Sequence, residues 1–327
     1  MLMNEGCSRH LVTFTPEYLL QVKEQIAAYA HNSKAASTWR AYQADLRDFT
    51  TWCQAHSLPP LPASPETVAA YLVDLAARRK VATVQRRLAS ISQQHAAAGH
   101  ETPTRSATVR LIMQGIRRTH APAQGVRKVM PAVTSVIARI VEPLTGSLID
   151  VRDRALLLIG FAGAFRRSEL AELRLADLTE TEDGLRILLR QSKTDQEGQG
   201  IVKGIPFGSD ERTCPVRAWR AWLASTGIVD GQAFRAVGRC TQLQIGTSIS
   251  DRTIANIVKS RVKAAGFDPE RFSGHSLRSG LITAAAKAGV PERIIMKQSG
   301  HKHLPTLRGY IREGSLFTEN ASAKVGL

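Results

Sequence analysis

The first 120 residues carry helical periodicity almost without interruption, and this constrains the fold more than any other feature of the chain. Trp39, Tyr42, Leu46, Phe49 and Cys53 recur at steps of three and four residues and draw one apolar stripe along a helix. Thr15-Pro16-Glu17 and Ser64-Pro65-Glu66 each combine an N-cap, a first-turn proline and an early acid. The first starts a helix running to about Tyr29, and the second starts one with Val68, Tyr71, Leu72 and Leu75 inward. Between them Ser37 is expected to cap the striped helix. A fourth helix runs from about Thr83 with Val84, Leu88 and Ile91 inward, and Thr102-Pro103-Thr104 opens a fifth that ends in Arg117-Arg118.

Past this block the pattern changes. Helical segments at 135–144 and 149–162 lead to Arg166-Arg167-Ser168-Glu169, followed by a helix with Leu170, Leu173 and Leu175 inward. Two strand-like runs, 185–191 and 201–207, flank a polar, glycine-rich tip and read as a β-hairpin. Residues 215–223 and 250–265 are helical, and 227–248 reads as irregular. The expected fold is mainly α with a small β-sheet. A flexible arm (1–14) precedes an all-helical domain (15–119). A linker rich in Ala, Pro and Gly (120–133) leads to an α+β domain (134–327) ending in a weakly amphipathic tail from about 314.

Charge narrows the function. The chain of 327 residues has 44 Lys plus Arg against 28 Asp plus Glu, a net charge of +16, with 43% hydrophobic residues to build cores. A basic chain with that much apolar content points to a polyanionic partner, nucleic acid first. An anionic membrane surface fits less well, since no basic amphipathic helix carries bulky apolar anchors. Residues 1–130 hold an excess of eight positive charges. Arg40, Arg47, Arg78, Arg79, Lys80, Arg86, Arg87, Arg117 and Arg118 on the helices, with Arg127 and Lys128 in the linker, are candidate DNA contacts. Taken singly, each also fits a solvated charged face. Four scattered cysteines without CxxC spacing read as reduced thiols. With no signal peptide and no apolar run of transmembrane length, a cytoplasmic protein is expected.

Residues 275–310 gather the chemistry. His275 and Arg278, three apart, share one helix face and offer one small anion a proton-transferring group and a charged donor. His301 follows in a Ser-Gly-His turn. Tyr310 comes nine residues later and is the only tyrosine after residue 71. A solitary tyrosine among histidines and arginines suggests attack on a phosphodiester.

Arg166-x-x-Glu169, a lysine in a hairpin, His275-x-x-Arg278, and Gly300-His301 nine residues before Tyr310 occur in that order. This set resembles the tyrosine recombinase (phage integrase) family, and the two-block layout is similar to its Cre and Xer type. The likeness is loose in the first block and close over 155–312. It implies that Arg166 and Arg278 grip the non-bridging phosphate oxygens and that Lys193 protonates the leaving 5′ oxygen. It further implies that His275 takes or shares the Tyr310 proton and that His301 hydrogen-bonds the phosphate. Glu169 would support the pocket, and Tyr310 would be the nucleophile of a 3′-phosphotyrosyl intermediate. The hairpin tip has no second lysine, and Lys203 falls on the following strand. The family spacing to Glu169 selects Arg166, leaving Arg167 as a neighbour or a DNA contact.

The implied activity is site-specific recombination through a Holliday junction, without cofactor, metal or ATP. Two protomers would bind each inverted-repeat site and four would form the synapse. His301 and His303 make an HxH pair, but no carboxylate or cysteine stands at ligand spacing, so no metal site is expected. No GxxxxGK[ST] loop occurs. The rivals are a type IB topoisomerase, which uses much the same constellation without synapsis, and a DNA-binding protein with a dead site. In the family the tail docks on a neighbouring subunit; packing on its own domain is equally compatible with the sequence.

Overall fold

The computed structural model describes residues 15–120, 129–190, 200–238 and 243–314. The chain divides into two compact units, Met1–Val126 and Arg127–Leu327.

Five helices make up the described part of the first unit: α1 (Pro16–Asn32), α2 (Ala36–Ala55), α3 (Pro65–Arg78), α4 (Val81–Ala97) and α5 (Ala107–His120). The caps of α1 and α3 act as their residue types dictate. Thr15 Oγ1 accepts from the Tyr18 amide, and Ser64 Oγ accepts from the Thr67 amide, both at 3.2 Å. Ser37 caps nothing. The helix begins two residues earlier, after Ala35, where alanines are better helix formers than serine. Thr102 is followed by a short 3₁₀ turn, Pro103–Arg105, before α5 starts. One core joins α2 to α5, built on Phe49, Tyr71, Leu72, Leu75, Val84 and Ile91, all 0% exposed. No described side chain of α1 enters it.

The second unit begins with packed chain. Met130 donates its amide to Arg271 O at 2.6 Å, and Ala132, fully buried, donates to Ser276 O at 2.9 Å. A side chain at Gly280 would meet Ala132 O at 2.2 Å, so this close approach requires glycine. Composition alone assigned Met130–Ala132 to a linker; backbone pairing makes them part of the second unit. Residues 121–128, including Arg127 and Lys128, lie outside the described ones.

Next come α6 (Thr134–Val141), α7 (Leu148–Ala162) and the short α8 (Arg167–Glu172). Ser147 and Asp150 cap α7 reciprocally. The sheet follows in the antiparallel order β1 (Leu178–Thr181), β2 (Gly184–Leu189), β3 (Ile201–Pro206). In register Leu185 faces Ile205, Ile187 faces Lys203 and Leu189 faces Ile201. Leu185, Ile187 and Leu189 turn inward from β2, and Lys203 and Ile205 from β3. Beyond α9 (Pro215–Thr226), a two-stranded pair, β4 (Arg235–Val237) with β5 (Leu243–Ser248), occupies part of a stretch that reads as irregular in sequence. Helices α10 (Asp251–Ala264), α11 (His275–Lys287), α12 (Glu292–Ser299) and α13 (Leu304–Gly314) complete the unit.

The core lies between α7, the inward face of the sheet, α9 and α10. A smaller cluster of Ile282, Ile295 and Leu307 fastens α13 onto α11 and α12. The fold is thus mainly helical with a small sheet, as the periodicity implied.

Candidate active site

The site forms where α7, α8, α11, α12 and α13 converge. At the start of α8 the carboxylate of Glu169, 4% exposed, accepts from the Arg166 amide at 2.9 Å and from its guanidinium at 2.5 Å. Burial alone would raise the Glu169 pKa; the Arg166 hydrogen bonds and charge, with Lys203, bring it below the usual value. Arg166 is therefore held at both ends by one acid three residues on. Arg167 points elsewhere, its side chain 42% exposed and 3.9 Å from Asp251.

One turn into α11, Arg278 is 1% exposed. Its Nη1 donates to Ala164 O at 2.7 Å, and its Nη2 lies 3.4 Å from His301. Burial and the nearby Arg166 lower its pKa to about 10, with Glu169 and Tyr310 opposing, so it stays charged at neutrality. Among the described residues no carboxylate forms an ion pair with it.

Gly300 ends α12 in the left-handed region (φ 66°), a conformation that favours glycine, and the turn it makes releases His301 toward Arg278. Ser299 Oγ donates to Ile295 O at 2.6 Å and lies 2.8 Å from His301 Nδ1, a contact that orients the ring. Burial, then Arg278 and Arg166, push His301 down to about 4.

Leu307, fully buried, anchors α13, and Tyr310 one turn later faces the pocket. Its hydroxyl lies 2.7 Å from His275 Nε2. Crowding by protein, then Arg278, Arg166 and Arg167, lowers the His275 pKa, so the ring is neutral at pH 7 and accepts the phenolic proton. Both histidine rings lie near the phenol ring, at 5.9 Å for His275 and 6.1 Å for His301. The pocket thus assembles five of the six expected catalytic residues with Glu169. Lys193 lies outside the described residues. His303 is exposed, and no group of three potential metal ligands forms among the described residues.

This arrangement presents two guanidiniums, two neutral imidazoles and a hydroxyl paired to a base. It can bind a phosphodiester, activate an oxygen nucleophile and stabilise a pentacoordinate phosphorus.

Residues 133–315 match the model of the phage integrase family, and residues 28–102 match that family's N-terminal SAM-like domain. The chain belongs to the phage integrase family. It is 41% identical over 295 residues to an integrase/recombinase XerD homolog of Selenomonas ruminantium, covering 88% of this chain and 85% of that protein. It is 26% identical over 292 residues to the recombinase Cre of Escherichia phage P1, covering 84% and 83%. Two solved structures share the fold. XerH recombinase bound to palindromic difH in a post-cleavage complex has a TM-score of 0.58 at 15% identity, over 80% of this chain and 72% of that one. A lambda integrase tetramer on a Holliday junction has a TM-score of 0.57 at 16% identity, over 91% and 78%.

For this integrase-family chain the candidate DNA contacts of the helical unit fall into two groups. Arg40, Arg47, Arg78, Arg79, Lys80, Arg86, Arg117 and Arg118 are exposed. Among them Arg78 pairs with exposed Asp74, and Arg86 reaches in to pair with buried Asp45. Arg87 does not fit a DNA contact. It is 7% exposed, donates to Asp48 and to the Tyr71 hydroxyl, and lies 3.5 Å from Asp45. Its place on α4 explains this: three residues after Val84 and four before Ile91, it falls on the buried stripe. Ser90 and His95 on the same helix are buried too. Sequence reasoning also missed Ser299, which orients His301, although the Ser-Gly-His turn already contained it.

No helix among the described residues is long and apolar enough to cross a membrane.

Proposed function

We propose that Tyr310 attacks a DNA phosphodiester from within its own subunit, as the nucleophile of a tyrosine-type site-specific recombinase. Family membership supplies the reaction class, and the single observation that carries the assignment is the 2.7 Å contact between the Tyr310 hydroxyl and His275 Nε2 of the same chain. Neutral His275 takes the phenolic proton as the tyrosine oxygen bonds to phosphorus. Arg166 and Arg278 hold the non-bridging oxygens, and His301 hydrogen-bonds the same phosphate. The bond to the 5′ oxygen breaks, and Lys193, at the hairpin tip, supplies its proton. The product is a 3′-phosphotyrosyl link and a free 5′ hydroxyl. Because the phosphoester is conserved, religation to a new 5′ end needs no ATP.

The exposed arginines of the helical unit would anchor the duplex backbone. Two protomers on an inverted-repeat site and four on two paired sites give the assembly in which strands exchange through a Holliday junction. The work would be done in the cytoplasm, on the nucleoid in a bacterial host.

A nicked suicide duplex, drawn from a sequence library, tests this. Wild type should accumulate a covalent adduct, and Tyr310→Phe none. A wild-type protein that forms no adduct on any library member would remove the enzymatic assignment. Two recovered sites on one plasmid then separate recombination, which rearranges the DNA, from topoisomerase action, which only relaxes it.

A further inference from the structure

Helix α7 ends at Ala162, and the amides of Gly163, Phe165 and Ala164 in the turn after it satisfy the carbonyls of Ile159, Gly160 and Phe161. The next three carbonyls along the chain are satisfied by side chains from three other elements. Gln298 on α12 donates to Ala162 O at 2.8 Å, Lys203 on β3 to Gly163 O at 2.6 Å, and Arg278 on α11 to Ala164 O at 2.7 Å. Gln298 also donates to Gly204 O at 3.2 Å, tying the same turn to β3. Two residues beyond this turn stands Arg166.

Lys203 is the least expected member. It occupies the inward face of β3 between Ile201 and Ile205, where the strand pattern calls for an apolar side chain. It is 3% exposed, and its ammonium lies 4.7 Å from the centre of the Phe165 ring. A buried ammonium is costly unless it is paired and hydrogen-bonded. Here one carbonyl and the field of Glu169 offset that cost. The charged and titratable groups around it are Glu169 on α8, Arg166 just before it, Arg278 on α11 and the neutral His301 after α12.

We propose that Lys203 is a positioning residue of the cleavage site, fixing the turn that presents Arg166 by holding the Gly163 carbonyl and balancing Glu169. This role rests on the cleavage chemistry proposed above, and Lys203 itself touches no reacting atom. Burial, with Arg278 and Arg166, lowers its pKa to about 7 against the opposing pull of Glu169. Its charge, and with it the charge-assisted hold on the turn and the balance of Glu169, is therefore lost as pH rises past neutrality in the DNA-free protein. A bound phosphate adds negative charge and moves that loss to higher pH.

The test is the single-turnover rate of adduct formation on the nicked duplex at saturating protein, followed from about pH 6 to 9, beside the DNA Kd. Lys203→Met should slow adduct formation about tenfold to a hundredfold with Kd within about threefold of wild type. Lys203→Arg keeps the cation and the donor without titrating, so it should restore most of the rate and abolish the alkaline decline. A methionine variant cleaving at the wild-type rate would overturn the proposal. So would one that loses affinity and melting temperature while its saturated rate is unchanged, since that is a packing residue. If the methionine variant does not fold, the arginine variant decides, and an alkaline decline that persists in it counts against Lys203. Absence of any adduct with the wild-type protein is a separate outcome, which removes the cleavage chemistry itself and the proposal with it.

Discussion

Arg87 and Arg278 are the same side chain at nearly the same burial, 7% and 1% exposed, in two different units of the chain. Around Arg87 the helical unit supplies Asp48, Asp45 and the Tyr71 hydroxyl. Burial disfavours its charge, but Asp48 and Tyr71 outweigh that, and its pKa rises. Around Arg278 the second unit supplies a carbonyl, a neutral histidine and further cations, and its pKa falls to about 10. The first arginine has its counter-charge built in and ties helices together. The second is buried with no ion-pair partner among the described residues, beside Arg166, Lys203 and the buried acid Glu169. A fold that tolerates such a deficit leaves room for an anionic ligand, and the paired Tyr310 and His275 indicate what is done to it.

The largest expected effect falls on the second arginine. Arg278→Met should lower the rate of adduct formation about a hundredfold to a thousandfold, the loss typical of one transition-state donor. Its melting temperature should move by only about 3 °C, since the lost carbonyl contact is offset by removal of an uncompensated charge. Cleavage kinetics and thermal melting of the same preparation check both halves. His275→Ala should slow the reaction about a hundredfold or more. In wild type the His275 pKa is depressed, so the ring works as a base at pH 7 and cleavage declines only as acidification protonates it. That acid limb should vanish in the alanine variant, which a rate profile from about pH 5 to 8 would reveal.

Arg87→Met should do the reverse of Arg278→Met. Leaving Asp48 without its cation and Asp45 with Arg86 alone is expected to cost about 2 to 3 kcal/mol in urea unfolding. That is below the cost for a wholly buried pair, because Asp48 is 30% exposed. Cleavage by the fraction that remains folded should be close to normal. The smallest effect is expected from the exposed arginines. Arg40→Ala and Arg47→Ala should each lower the slope of log Kd against log salt by about one, without changing the rate at saturating protein.

The difference between the two arginines also marks what sequence could and could not reveal. Helix starts at Thr15 and Ser64, and the order Arg166, Glu169, His275, Arg278, His301, Tyr310, were legible because capping and local spacing are read within a few residues. The burial of Arg87 followed from its position between Val84 and Ile91, but a basic pair invited a reading by charge alone. Strand β1 went unseen because three of its four residues are exposed and it carries no apolar alternation. Strands β4 and β5 pair across an irregular register that leaves no periodic trace. The roles of Lys203 and Gln298 depend on contacts spanning 40 and 136 residues, beyond any local pattern.

The most direct test of the central claim is to digest the covalent protein–DNA complex with protease and sequence the nucleotide-bearing peptide by mass spectrometry. The expected result is a nucleotide on the α13 peptide at Tyr310, absent from Tyr310→Phe. A nucleotide attached to any other residue, or an adduct that persists in Tyr310→Phe, would contradict it.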